Sequence, residues 1–448
     1  MNKIKILIAV VGCTLLCNHY AFSQVWVSVD SGWSAPLIYF NVDTLHNKLY
    51  GTNGYIFTAG GSSPSRGCAQ YDGVKWDTIP VLNNYGSALG IQYGNKFIFR
   101  QGSLFSWDGG TQVDTLAKFS LGGGASGLMT HNGILYAYGE FDSINGIEAH
   151  DIAKWDGTTW SAIDTTKWYS SGIYCATFYN NELYIGGGMT NFGNTISQVA
   201  KWDGVHWIQL GNGVRGGFTD VYCCEVYNNE LYFGGWFDFA GGNPGNAIAR
   251  WNGTQWNDVG GGMAHTNSVI YDLQVFNNEL FACGGFLEAG GITDSLIGKW
   301  DGSNWCSVGF NSEAASSLRV MAVYNNELYI GGSFITINGD TMHNVAKWNG
   351  GNYVGNCGST AGVNEIDPQE EISIYPNPSN GLFTISATGT KIKEVRVMDV
   401  MGRIVNSEQL IVNSTSATID MSGFAKGVYF VRIEDEKKNT VNRKIVLQ

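Results

Sequence analysis

Six histidines follow the first two dozen residues: His46, His131, His150, His206, His265 and His343. None has a spacing that builds a catalytic or metal centre. No His-Glu-x-x-His occurs, so the two-histidine zinc helix of metallohydrolases is missing, and no Gly-x-Ser-x-Gly sets a nucleophile beside a usable base and acid. His150 and His343 stand five residues before a tryptophan, where corresponding segments carry Ser or Asn. Polar residues leading into a strand account for them better than metal ligation does. Asp142, Asn145 and Glu148 offer oxygens in one segment and Asn338 with Asp340 in another, yet neither has the alternating acidic spacing of a calcium loop. The two segments occupy the same slot of a repeat, which favours a loop-structuring role. A pair of acids for glycoside hydrolysis needs a separation that only folding defines. What remains is stacking chemistry. Trp33, Trp168 and Trp236 fall outside the periodic tryptophans described next, and they are the candidates for stacking on a sugar or gripping a protein partner. The competing reading is packing at the rim of the fold. No catalytic residue, cofactor or metal is expected.

The elements that must position these residues come from a repeat. A strand-like phrase recurs around Leu49, Phe97, Leu135, Leu183, Leu231, Leu280 and Leu328, at intervals of 48, 38, 48, 48, 49 and 48 residues. After each comes an aromatic followed by Asp-Gly or Asn-Gly, as in Trp155-Asp156-Gly157 and Trp251-Asn252-Gly253. Such a dipeptide between apolar runs marks a hairpin, because the turn requires residues that accept positive φ. Five residues beyond the first Trp stands a second: Trp160, Trp207, Trp256 and Trp305, with Trp76 and Tyr353 in the end units. Pairing puts both aromatics on one face, and an aliphatic three residues later (Ile163, Leu210, Val259, Val308) points to the other. A sheet apolar on both faces, repeating every 48 residues or so, suits a propeller blade sandwiched between neighbours. The Gly pairs (Gly186-Gly187, Gly234-Gly235, Gly284-Gly285, Gly331-Gly332) suit close backbone approach near the centre.

This pattern, over roughly residues 25–357, resembles the kelch-type propeller repeat: Leu-Tyr-x-Gly-Gly, an aromatic before a turn, then Trp on the outermost strand. It departs from kelch where Trp-Asp-Gly replaces a Tyr-Asp with a longer turn, and it lacks the Gly-His and terminal Trp-Asp placement of WD40 repeats. The expected fold is therefore all-β: a seven-bladed β-propeller of kelch-like four-stranded blades over 24–357, followed by a small Ig-like β-sandwich. Trp26-Val27-Ser28-Val29 copies an outer-strand phrase ahead of the first unit, so an N-terminal strand could complete the last blade. Tyr353 competes for that edge.

The two ends speak of export. Lys3 and Lys5, the apolar run Ile6 to Leu16 and Ala21-Phe22-Ser23 read as a signal peptide over 1–23. An alternative is a lipoprotein box ending at Cys13. No other stretch is apolar enough to span a bilayer, so no integral membrane segment is expected in the mature chain. A polar linker, 358–371, precedes seven short alternating strands within 372–448, the pattern of a small antiparallel sandwich. These residues resemble the type A sorting domain of type IX secretion substrates. The matching positions are Pro376, Asn377, Pro378, Gly381, Asp399, Gly402, Gly427, Tyr429 and Lys444. The resemblance implies handling by the type IX secretion machinery, passage across the outer membrane of a Gram-negative bacterium, and a secreted or cell-surface location.

Charge and cysteines exclude some classes. The formal net charge is −12 at pH 7, which repels phosphate backbones and anionic headgroups, so no nucleic-acid partner is expected. Beyond Cys13 and Cys17, seven cysteines remain: Cys68, Cys175, Cys223, Cys224, Cys283, Cys306 and Cys357. An odd number at irregular spacing does not read as a disulfide framework. Cys175 and Cys223 hold equivalent repeat positions and could approach one another on neighbouring blades. The function expected is an exported binding or display protein with an extracellular glycan or protein as partner. The alternatives are a propeller enzyme acting on extracellular polysaccharide (lyase, hydrolase or oxidase) and a structural or adhesion component of the cell surface.

Overall fold

The computed structural model describes residues 26–30, 32–52, 57–58, 61–62, 68–82, 89–120, 123–164, 168–191, 197–216, 219–241, 243–264, 267–292, 296–312, 315, 317–349, 357, 372–387, 391–399, 404–406, 414–436 and 440–448. The expected leader and linker lie outside them. The chain divides into two compact units, Met1–Gly358 and Ser359–Gln448. Among the described residues the helical structure is one 3-10 turn, Pro80–Leu82, and no helix is long and apolar enough to cross a membrane.

The first unit holds seven four-stranded antiparallel sheets among the described residues. Their innermost strands are Tyr39–Asp43, Leu89–Tyr93, Gly124–His131, Trp168–Tyr179, Asp220–Tyr227, Val269–Phe276 and Ser317–Tyr324. Each packs against the next, and the seventh returns to the first, which makes a ring of blades numbered here one to seven. Burial on both faces of every sheet follows, as the alternating aromatic and aliphatic positions require.

The outer hairpin shows how one turn is repeated. Trp155 pairs directly with Trp160, Trp202 with Trp207, Trp251 with Trp256 and Trp300 with Trp305. Ring centroids within these pairs lie 5.5, 5.1, 5.3 and 5.6 Å apart. The Asp before Gly closes the turn: Asp156 Oδ1 accepts the N–H groups of Thr158 and Thr159 at 2.8 and 2.7 Å. These bonds hold its carboxyl well below the usual range. Asp72 and Asp203 accept the equivalent pairs and are lowered for the same reason. The Gly that follows sits at φ near 100°, where a side chain would be strained. The recurring acids are therefore turn formers.

The inner hairpins lock the ring. Asn228-Asn229 and Asn325-Asn326 take positive φ at both residues, the tight turn matched to strand twist. In four blades a tyrosine ends the innermost strand and reaches across the blade boundary to the next turn. Tyr93 donates to Gly133 O, Tyr179 to Asn229 O, Tyr227 to Asn278 O and Tyr324 to Asn47 O, at 2.9 to 3.1 Å. Blade three carries His131 at this place, 3.3 Å from Asn181 Oδ1. Tyr324→Phe removes the bond joining the seventh blade to the first and should cost about 1 kcal/mol, read as a lower urea midpoint with an unchanged slope.

Ring closure is decided by the N-terminal strand. Trp26–Ser28 pairs with Val345–Trp348 as the outermost strand of blade seven, Trp26 opposite Trp348. Trp26 is fully buried and donates Nε1–H to Val308 O at 3.0 Å. That copies Trp305 donating to Val259 O and Trp256 to Leu210 O. Tyr353 lies outside the described residues.

One expectation needs correcting. Cys306 and Cys357 form a disulfide, which ties the chain after the seventh blade to the outer strand of the sixth. Their separation of 51 residues hides a local bridge, because a ring brings chain segments one repeat apart side by side. Cys68, Cys175, Cys223, Cys224 and Cys283 are free thiols. Cys175 hydrogen-bonds Cys224 on the next blade, and Cys223 is near enough to add its own electrostatic influence.

The second unit has a three-stranded sheet (Ile372–Tyr375, Leu382–Ala387, Ser416–Asp420) and a four-stranded one (Ile404–Asn406, Ile392–Met398, Gly427–Asp435, Thr440–Leu447). Phe383, Ile385 and Ile419 from the first share one core with Val395, Val431 and Ile445 from the second. Tyr429, Val431 and Ile433 turn inward, while Val428 and Phe430 are exposed, the alternation of a half-buried strand.

Candidate ligand-binding site

The Gly pairs place the most distinctive surface of the ring. A side chain at Gly235 would collide with the Asp220 carbonyl, and one at Gly284 with that of Val269. Glycine lets the second strand press close, and the innermost strand responds with a bulge. Register shifts fall between Val221 and Cys223, Ile270 and Asp272, Leu318 and Val320, and Ile173 and Cys175. The extra residue at each is Tyr222, Tyr271, Arg319 or Tyr174. Bulges re-aim side chains, and here four consecutive blades present theirs around the axis.

These side chains form a row. Tyr174 stacks on Tyr222 with centroids 5.7 Å apart and planes 27° off parallel, and Tyr222 lies 5.7 Å from Tyr271. The Arg319 guanidinium sits 4.0 Å over the Tyr271 ring, a cation–π contact that also fixes the arginine. Tyr222 donates its hydroxyl to Asp220 Oδ2 at 3.0 Å. Burial first, and then the Asp220 charge, push this phenol above its usual range. Arg319 is exposed, bonds Ser317 Oγ through Nε at 3.3 Å, and makes no ion pair among the described residues.

Two carboxylates lie farther along the same strands. Asp272 accepts Met321 N–H at 2.6 Å from the next blade and Leu273 N–H at 2.9 Å. Burial raises it to about 7 against the pull of those bonds. Burial likewise raises Glu225 to about 7. With both Asp272 oxygens engaged by backbone, this acid joins two blades.

The three off-repeat tryptophans separate. Trp33 is 1% exposed and packs edge-on to Trp76 at 5.2 Å. Its backbone N–H donates to His343 O, and its carbonyl accepts from Asn344 Nδ2, so it belongs to the seam between blades seven and one. A ring without a solvent face offers no stacking surface, which corrects the reading of Trp33 as a ligand residue. Trp168 opens the innermost strand of blade four, and its ring lies outside the described side chains. Trp236 is half-buried and ends the second strand of blade five, directly opposite Asp220. Tyr174, Tyr222, Tyr271 and Arg319 escaped sequence reasoning. The signal was present, since each follows an apolar residue and stands twelve or thirteen positions before the Gly pair, but only the bulge reveals its orientation.

The oxygen-rich loops hold the blades together. Asn145 Oδ1 accepts Lys118 N–H at 2.8 Å and Asn338 Nδ2 donates to Gly309 O at 2.8 Å, each across a blade boundary. His150 bonds Glu148 at 2.7 Å within its own loop. Two broad polar hollows lie elsewhere: one of about 520 Å³ lined by Gln198, Gln209, Asn212 and Arg215, and one of about 440 Å³ at the turns of Tyr93 and His131.

In the second unit the Pro376-Asn377-Pro378 segment is stitched to the last strand. Asn377 Oδ1 accepts Val446 N–H at 3.0 Å, and Ser379 N–H bonds Val446 O at 2.8 Å. Gly381 lies at φ 110° against Ser422. The Tyr429 hydroxyl donates to Ala425 O at 2.8 Å just after Gly427 turns the chain. Asp399 is half-buried after its strand. Gly402 and the Lys444 side chain lie outside the described residues.

Residues 373–448 match the family described as a secretion system C-terminal sorting domain. No curated protein matches the chain. Among solved structures, YCF48 bound to D1 peptide is similar at 11% identity and a TM-score of 0.44, over 72% of this chain and 97% of that one. The chain therefore carries a secretion-system C-terminal sorting domain over 373–448, preceded by an all-β, propeller-like body of four-stranded sheets.

Proposed function

We propose that this is a binding protein of the surface or surroundings of a Gram-negative bacterium, its ring presenting an extracellular glycan or protein ligand site and its tail serving delivery. The observation that carries the reading is the row Tyr174, Tyr222, Tyr271 and Arg319, projected by four successive bulges. Aromatic side chains with polar tips, held rigid by stacking, bind at low entropic cost. Asp220 and Asp272 are engaged by Tyr222 and by backbone N–H groups, which favours a binding role, and Glu225, raised to about 7 by burial, is the acid that a turnover assay must test. A glycan array and a surface-protein pull-down with the full chain test the proposal. Saturable binding weakened by Trp236→Ala is the expected result. Silence in both assays, or steady product release from a polysaccharide, would replace it with a structural or an enzymatic role.

A further inference from the structure

We propose that Cys175 and Cys224 are a dithiol that oxidises to a disulfide between blades four and five, a second covalent tie in the ring besides Cys306–Cys357. The two stand on innermost strands, Trp168–Tyr179 and Asp220–Tyr227, that pack against each other. Cys175 hydrogen-bonds Cys224, and Cys224 packs on the core cluster that holds Cys175, Val221 and Leu231. A Cβ added at Gly186 would lie 2.8 Å from Cys175 Sγ and 2.7 Å from Val221 Cγ1, so the Cys175 thiol is turned toward blade five. The Tyr138 hydroxyl of blade three accepts Ala176 N–H and lies within electrostatic range of both sulfurs. Cys223 is turned the other way. A Cβ at Gly234 would lie 2.7 Å from Cys223 Sγ and 2.6 Å from Ile270 Cγ2, which directs that thiol toward blade six. Successive strand residues take opposite faces, which leaves Cys224 to Cys175.

The chemistry is thiol–disulfide exchange with a disulfide-bearing oxidant. Cys224 is half-buried and Cys175 buried, so the oxidant meets Cys224 first. The Cys224 thiolate attacks one sulfur of the oxidant and expels the other as a thiol. Cys175 then gives up its proton, attacks the Cys224 sulfur and expels the second thiol. The two cysteines lose two electrons, the oxidant gains them as two thiols, and an S–S bond joins the blades. Burial holds the Cys175 thiol well above its usual range, which makes the second step the slow one. A chain with a secretion sorting domain meets the oxidising surroundings that this exchange needs, and Cys306–Cys357 is a bond of the same kind. The tie would also fix the strands that carry Tyr174 and Tyr222, the stacked pair of the row.

The test is thiol mapping on the full chain. Protein held with oxidised glutathione is denatured, alkylated and digested without reductant, and the peptides are weighed. The expected map links the Cys175 and Cys224 peptides and shows Cys68, Cys223 and Cys283 alkylated. Cys223→Ser should keep the link, whereas Cys224→Ser should remove it and leave Cys175 alkylated. Because a cross-link restricts the unfolded chain, the glutathione-treated protein should melt a few degrees above the untreated one, a gain absent from Cys224→Ser. Alkylation of all five thiols after the oxidant, a link from Cys175 to Cys223, or a bond between the adjacent Cys223 and Cys224 overturns the assignment. Should a variant fail to fold, the peptide map of the unsubstituted chain decides alone.

Discussion

Trp26→Ala should cost about 3–5 kcal/mol, more than any exposed substitution in the ring. Trp26 has no solvent-exposed surface. It meets Trp348 at 4.9 Å and Phe310 at 6.1 Å, and donates to Val308 O across the boundary with blade six. Alanine removes the ring, leaves a cavity and strands the carbonyl. The same truncation at Trp305 also leaves a cavity, but its strand is joined by a short turn to its partner. Trp26 is different because its strand reaches blade seven from the other end of the chain, so its side chain must hold two termini together. Loss of this contact should lower the urea midpoint strongly and expose the edge of Val345–Trp348 to proteolysis. A change below about 1 kcal/mol would mean that another segment takes the edge.

Ending the chain at residue 358 should leave the ring folded and abolish its appearance outside the cell. The sorting unit has its own core, built from Phe383, Ile385, Val395, Val431 and Ile445 without a residue of the ring. Fractionation should find the truncated protein retained with the cells at near the full-length amount. Val431→Asp sharpens the test. It keeps Pro376, Asn377, Gly381, Gly427 and Tyr429 but buries a charge at a fully buried position, a change costing several kcal/mol. Loss of export is expected for this variant as well, because the Pro-Asn-Pro segment is displayed by hydrogen bonds to the last strand. Export at the normal level by Val431→Asp would mean that the machinery reads an unfolded segment.

Much of the architecture was legible because it is local. The Trp-Asp-Gly phrases are turns whose Asp bonds residues two and three ahead, and such chemistry depends on nothing distant. The Gly pairs were legible as places of close approach for the same reason. The candidate site was legible only in part. Trp236 lies opposite Asp220 in its strand pair, and Trp33 looked like a loop aromatic because its burial depends on His343 and Asn344, some three hundred residues away. The tyrosines of the row read as ordinary strand residues, since a bulge shifts which face a side chain takes without changing composition.

By itself the sequence determined the repeat, its turns, the two-sided apolar sheets and the sorting tail, all set by residue type at short range. The tertiary structure decided which strand closes the ring, that Cys306 meets Cys357, and that Tyr174, Tyr222, Tyr271 and Arg319 gather on the axis. Those outcomes depend on how consecutive blades rotate about a common centre. Closure brings together residues whose separation along the chain carries no trace of their proximity.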